Sequence, residues 1–203
     1  MRTSRLEDVH PLTALQSGLY FHARLAGDDT DVYTAQLTLD LAGPLDPQAL
    51  RRACSATVRR HSALRTGFRT RPTGDPAQFV VRGLDAPWAE SDLRAEEPAL
   101  RAPLRAALLD GDRREPFDLA RPPLVRFRLI RTGEEQWTLA LTNHHLILDG
   151  WSFPLLVEEV FRAYAGAADP GEPPSFRSYL EWMAGQDRAA AGAAWRLALD
   201  GLD

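Results

Sequence analysis

The chain has 203 residues, 44% hydrophobic and 26% charged, with a formal net charge of -4; this is an ordinary globular composition with enough apolar side chain for a sizeable core. The mild acidity and the absence of any basic block argue against a nucleic-acid partner. No apolar run approaches the roughly 18 residues that span a bilayer, and the charged start, Met1 to His10, lacks a signal-peptide core, so the expected location is cytoplasmic with no membrane partner.

The one cysteine, Cys54, excludes an internal disulfide, and its place between Ala53 and Ser55 in a helix-like stretch reads as a small core residue rather than a nucleophile. All 24 basic residues are arginine, which removes a lysine Schiff base from consideration.

In chain order, the apolar spacing of Leu12, Leu15, Leu19, Phe21 and Leu25 predicts an amphipathic helix over 12–25. A turn at Gly27 to Thr30 leads to a strand over Tyr33 to Leu41, closed by Gly43-Pro44. Asp46 followed by Pro47 is a helix start, because the carboxylate caps free N–H groups where proline needs no donor, and that helix runs to about Arg60. Short strands are expected at Leu64 to Phe68 and Gln78 to Val81, around the Arg71-Pro72-Thr73-Gly74 turn.

Leu93 to Leu109 has helical composition, interrupted into pieces by Pro98 and Pro103. Val125, Phe127 and Leu129 alternate with Arg126 and Arg128, and a second strand over Gln136 to Thr142 completes a β-hairpin. Ser152 is the expected cap of a helix from Phe153 to Ala165, ending near Gly166. A Pro/Gly linker, Asp169 to Pro174, precedes a last helical stretch from Ser175 to about Leu199, with Trp182 and Trp195 as its anchors. With no internal repeat, helices interspersed with hairpins imply a layered α/β (α+β) unit.

The run Asn143-His144-His145-Leu146-Ile147-Leu148-Asp149-Gly150-Trp151-Ser152 stands where a strand ends and a helix begins. Such a position fixes the backbone by sheet hydrogen bonds while a side chain faces a cleft. Neighbouring strand side chains point to opposite faces, so one of His144 and His145 faces the cleft and the other packs behind it. Gly150 allows a backbone conformation or a close ligand approach that a Cβ would hinder. A buried histidine pair without chemistry is the competing reading. A zinc site is weaker, since adjacent strand histidines diverge and no third ligand lies nearby, and no Gly-x-Ser-x-Gly elbow supports serine hydrolysis.

His144 to Gly150 resembles the His-His-x-x-x-Asp-Gly motif of the condensation domains of nonribosomal peptide synthetases, which are similar to chloramphenicol acetyltransferase. Pro11-Leu12-Thr13-Ala14-Leu15-Gln16-Ser17-Gly18-Leu19 looks like the family's first motif, and Arg60-His61-Ser62-Ala63-Leu64-Arg65-Thr66-Gly67-Phe68 like its second. Pro116-Phe117-Asp118-Leu119 followed by Pro123-Leu124 has the same appearance.

The resemblance implies a chloramphenicol acetyltransferase-like lobe, a mixed β-sheet with flanking helices, over residues 1–168. Residues 169–203 are then a linker and helix leading toward a C-terminal lobe of the same domain. It further implies amide formation between acyl groups on upstream and downstream peptidyl carrier proteins, delivered on phosphopantetheine arms, with no cofactor bound directly and no metal. His145 is the catalytic candidate, as general base or as stabiliser of the tetrahedral intermediate. His144, Asp149, Gly150 and Trp151 form the supporting loop, and Arg65 is the expected salt-bridge partner of Asp149, a guanidinium fork suiting a partly buried carboxylate. The lobe alone is expected to be inactive. An epimerization-domain lobe and a non-catalytic carrier-protein docking module are the alternatives, the first motif departing from the Gln-x-Arg-Leu-Trp form of many condensation domains.

Overall fold

The computed structural model describes residues 5–25, 32–167 and 171–201. They fall into two compact units, Met1–Pro173 and Pro174–Asp203. The expected turn at Gly27 to Thr30 and the start of the linker at Asp169 lie outside the described residues.

The first unit holds two sheets. Strands β2 (Thr34–Ala42), β5 (Trp88–Asp92), β6 (Val125–Gly133) and β7 (Gln136–His144) form a four-stranded sheet in the order β2-β7-β6-β5, antiparallel except for the parallel β5/β6 pair. Strands β1 (Leu6–Pro11), β3 (Thr66–Thr70) and β4 (Pro76–Val81) form an antiparallel sheet in the order β1-β4-β3. Alternation gives each face of the larger sheet its own partner. Phe127, Leu129, Leu139 and Leu141 enter the core with Leu50, Cys54 and Val58 of α2 (Pro47–Arg60) and Leu156 and Val160 of α4 (Ser152–Tyr164).

On the opposite face, polar side chains bond to α3 (Pro98–Arg114). Arg128 grips Asp112 with two nitrogens, at 2.5 and 2.7 Å, and Arg105 Nε donates to Thr138 Oγ1 at 2.8 Å. Gln36 Nε2 donates to the Leu109 carbonyl at 2.9 Å. These tertiary bonds explain why α3 runs unbroken through Pro103, where Pro98 and Pro103 were expected to break the helix into pieces; fixed contacts to the sheet outweigh the hydrogen bond that proline cannot make. The expected helix over 93–97 is instead a turn following the edge strand β5.

Asp46 caps α2 as expected, accepting from the N–H groups of Gln48 and Ala49. Cys54 is wholly buried on the core face of that helix, and burial pushes its thiol up to about 12. A 3-10 turn, Ala63–Arg65, replaces the start of the expected strand at Leu64. In β3, a Cβ on Gly67 would come within 2.7 Å of the Phe79 ring and 2.8 Å of Pro122, so the second motif carries glycine where two chain segments meet.

The second unit contains α5 (Phe176–Ala184) and α6 (Arg188–Ala198), capped by Ser175 and Asp187. The single expected helix is thus divided at Gly185. Trp182 and Trp195, the expected anchors of that stretch, are 59% and 67% exposed, and neither helix has a buried residue.

Candidate active site

Strand β7 is hydrogen-bonded to β2 on one side and β6 on the other, and it is buried from Trp137 to His144. Its end inherits that rigidity. The His144 N–H donates to the Leu124 carbonyl at 3.0 Å, and the His145 N–H donates to the Tyr33 carbonyl at 2.9 Å. Beyond these anchors the chain turns, the Ile147 N–H donating back to the His144 carbonyl at 3.2 Å.

The two imidazoles are held in opposite ways. His144 is fully buried, and its Nδ1 accepts from the Leu146 N–H at 3.0 Å, so that nitrogen carries no proton. His145 is partly exposed, and its Nδ1 lies 3.1 Å from the Leu148 carbonyl. A carbonyl only accepts, so His145 Nδ1 bears the proton and, in the neutral ring, Nε2 keeps its lone pair. Among the described residues no protein group is hydrogen-bonded to that Nε2. The pair thus divides as the strand geometry requires, one ring packed behind and one at the surface.

Asp149 and Arg65 are not brought together. Asp149 is exposed and accepts from the Ser152 hydroxyl at 2.6 Å and the Ser152 N–H at 2.9 Å. The hydroxyl bond is the main reason its carboxyl stays below the usual carboxylate range, a smaller burial cost opposing it. Arg65 is buried and bonds Glu7 at 2.5 Å and the Val81 carbonyl at 2.9 Å. The expected salt bridge is therefore replaced by two separate devices. Arg65 ties the 3-10 turn to the small sheet, and Asp149 restrains the entry to α4, where an anionic side chain also suits the positive helix end.

Ser152, expected as the cap, is instead the first residue of α4 and the donor to Asp149. Gly150 has no positive φ and open space around its missing Cβ, so the backbone reason offered for it does not hold. Trp151 is 89% exposed.

Three contributors were not singled out as site residues from the sequence. Glu159 on α4 receives Arg60 at 2.9 Å and His61 Nε2 at 2.7 Å, joining the second motif to the helix that follows the histidines. Glu7 occupies Arg65. Gln16 donates from Nε2 to the Leu146 carbonyl at 3.1 Å, inside the histidine turn. Only Gln16 had a legible signal: Thr13-Ala14-Leu15-Gln16 is a capping box, in which Thr13 Oγ1 accepts from the Gln16 N–H and Gln16 Oε1 from the Thr13 N–H, each at 3.1 Å. No group of three or more His, Cys, Asp or Glu among the described residues is placed to hold a metal ion.

The family model for the condensation domain matches residues 6–202. A mycosubtilin synthase polypeptide of Bacillus subtilis is 34% identical over 96% of this chain and 8% of its own length. A linear gramicidin synthase polypeptide of Brevibacillus parabrevis is 35% identical over 97% of this chain and 3% of its own. In structure, the starter condensation domain of rhizomide synthetase superposes with a TM-score of 0.82 at 20% identity, over 97% of this chain and 49% of that one. The first condensation domain of the calcium-dependent antibiotic synthetase, solved with a substrate analogue, gives 0.73 at 25% identity over 82% and 40%. The chain thus spans a small fraction of the curated synthetase polypeptides and about half of the solved domains. With its histidine turn at the end of β7 and the family model running almost its whole length, this chain belongs to the condensation domain family of nonribosomal peptide synthetases.

Proposed function

We propose that the chain is the histidine-bearing lobe of an amide-forming condensation domain, in which the amine of one carrier-bound aminoacyl group attacks the thioester of another. His145 acts as the general base. The observation that carries this reading is the bond from His145 Nδ1–H to the Leu148 carbonyl, which leaves a lone pair on the second ring nitrogen of a partly exposed residue. As the amine nitrogen bonds to the thioester carbon, Nε2 takes its proton, and the imidazolium so formed can return a proton to the departing thiolate. The donor role, hydrogen bonding to the tetrahedral intermediate, requires a proton on Nε2 at the outset, and the Nδ1 bond favours the other tautomer.

Two phosphopantetheine arms on upstream and downstream peptidyl carrier proteins would deliver the substrates. Tethering raises the effective concentration of the reactants and good alignment supplies effective molarities of up to about 10⁵ M or more, so the histidine adds to a reaction already favoured by orientation. His144 and Asp149 hold the turn from either end, while Gly150 and Trp151 lie on its open side. A C-terminal lobe would complete the channel, and the chain alone is expected to make no amide product.

Replacing His145 by alanine in the intact synthetase is expected to lower condensation by roughly 10²- to 10⁴-fold with carrier-protein binding unchanged, measured by product formation from loaded carriers. Undiminished product would overturn the base assignment and favour a docking module.

A further inference from the structure

We propose that Gln16 is a positioning residue for His145, acting through its side-chain amide on the turn that carries the imidazole. The proposal rests on His145 being the reacting base. All four hydrogen-bonding valences of the amide are used. Nε2 donates to the Leu146 carbonyl at 3.1 Å and to Gln78 Oε1 at 3.4 Å, while Oε1 accepts from the Thr13 N–H at 3.1 Å and from Gln78 Nε2 at 3.2 Å. Gln78 is 2% exposed on the central strand of the small sheet, and its Nε2 also donates to the Pro11 carbonyl at 2.8 Å.

Gln16 therefore links three separate pieces of chain: the capped start of α1 (Ala14–Leu25), strand β4 and the histidine turn. On the turn it completes a grip on one residue. The N–H of Leu146 is taken by His144 Nδ1, its carbonyl by Gln16, and its side chain by the core at 3% exposure. With Leu146 held at three points, the preceding residue, His145, has its backbone fixed on both sides, since its own N–H is bound to Tyr33. A partly buried amide pair whose Gln16 member has every donor and acceptor engaged is a stiffer support than a half-satisfied one, so the network favours one position of the turn.

Helix capping alone does not account for Gln16. A capping box needs only the acceptor half of the side chain, and a glutamate serves there equally well. It is the donor half that reaches Leu146. The variant Gln16→Glu separates the two, because it keeps the acceptor for Thr13 while setting carboxylate oxygens against the Leu146 carbonyl and Gln78 Oε1.

In the intact synthetase, Gln16→Glu is expected to lower kcat for condensation by about tenfold to a hundredfold, the scale of a misplacement near 1 Å, with KM for the loaded carriers little changed. The ratio of variant to wild-type kcat should rise as pH falls, because the introduced carboxyl regains a donor when protonated. Thr13→Ala, which removes the cap and leaves the Leu146 bond, should lower the melting temperature with kcat little changed. Should the charged variant not fold, Gln16→Met serves in its place for the kcat comparison.

A second measurement does not depend on turnover. Imidazole ¹⁵N spectra of the 203-residue chain should show His145 protonated at Nδ1 in the wild type and a mixture of tautomers in the Gln16 variant. Wild-type kcat and an unchanged His145 tautomer in the Gln16 variants would overturn the proposal. So would a kcat loss in Thr13→Ala as large as that in Gln16→Glu. If instead His145→Ala leaves product formation intact, the base assignment falls, and the tautomer spectra still decide whether Gln16 holds the ring.

Discussion

The two units of the chain satisfy their apolar residues very differently. In the first, Leu50, Val58, Phe68, Leu124 and Ile130 are no more than 1% exposed, and helix, sheet and histidine turn share one core. In the second, α5 and α6 carry Tyr179, Trp182 and Trp195 at 45% exposure or more, and among the described residues the ring neighbours of Tyr179 are on its own helix, Phe176 at 5.5 Å and Trp182 at 5.9 Å. A helical apolar pattern therefore guarantees that a helix has a sticky face and not that its own unit covers it. The catalytic candidate sits in the unit that closes its own core.

Three substitutions would break or sharpen that contrast. Phe68→Ala, in the second motif and 1% exposed, should cost about 3–5 kcal/mol, read as a shift in the urea midpoint; a loss near zero would mean that the first unit does not depend on its core. Asp149→Ala should cost about 1 kcal/mol at neutral pH, as loss of a helix-start acceptor does. The sign with pH follows from the lowered folded pKa: the aspartate's contribution is full above the unfolded value of about 3.9 and disappears as pH falls through the lower folded value. Variant and wild type should therefore converge in acid, and a gap that widens there would remove the Ser152 bond as the cause. Trp195→Ser should change the stability of this chain by no more than about 0.5 kcal/mol, and a larger loss in the same melts would mean that the indole is covered after all.

Much of the larger sheet was legible because β6 alternates Val125, Phe127 and Leu129 with arginines and because Asp46-Pro47 marks a helix start. Strands β1 and β5 were not; like β2 and β3 they are sheet edges, but they carry more acidic residues. Edge strands carry charged residues that blunt pairing with other chains, so Leu6-Glu7-Asp8 and Glu90-Ser91-Asp92 lack the alternation that marks an inner strand. The pairing of Arg65 with Asp149 came from the family resemblance alone, whereas the folded chain sets Glu7 of β1 against the guanidinium. The division between His144 and His145 followed from strand geometry alone, whereas the hold of Gln16 on Leu146 spans 130 positions and required the folded chain.

The lone thiol of Cys54 has a bearing on the chemistry proposed. A sulfhydryl within reach of an activated acyl group competes with the amine by exchanging onto the acyl carbon, and the synthetase would then carry a stranded intermediate on its own side chain. Wholly enclosed and with its thiol pushed up to about 12 by burial, this sulfur offers no such diversion, so the proposed reaction would meet no competing thiol from this chain.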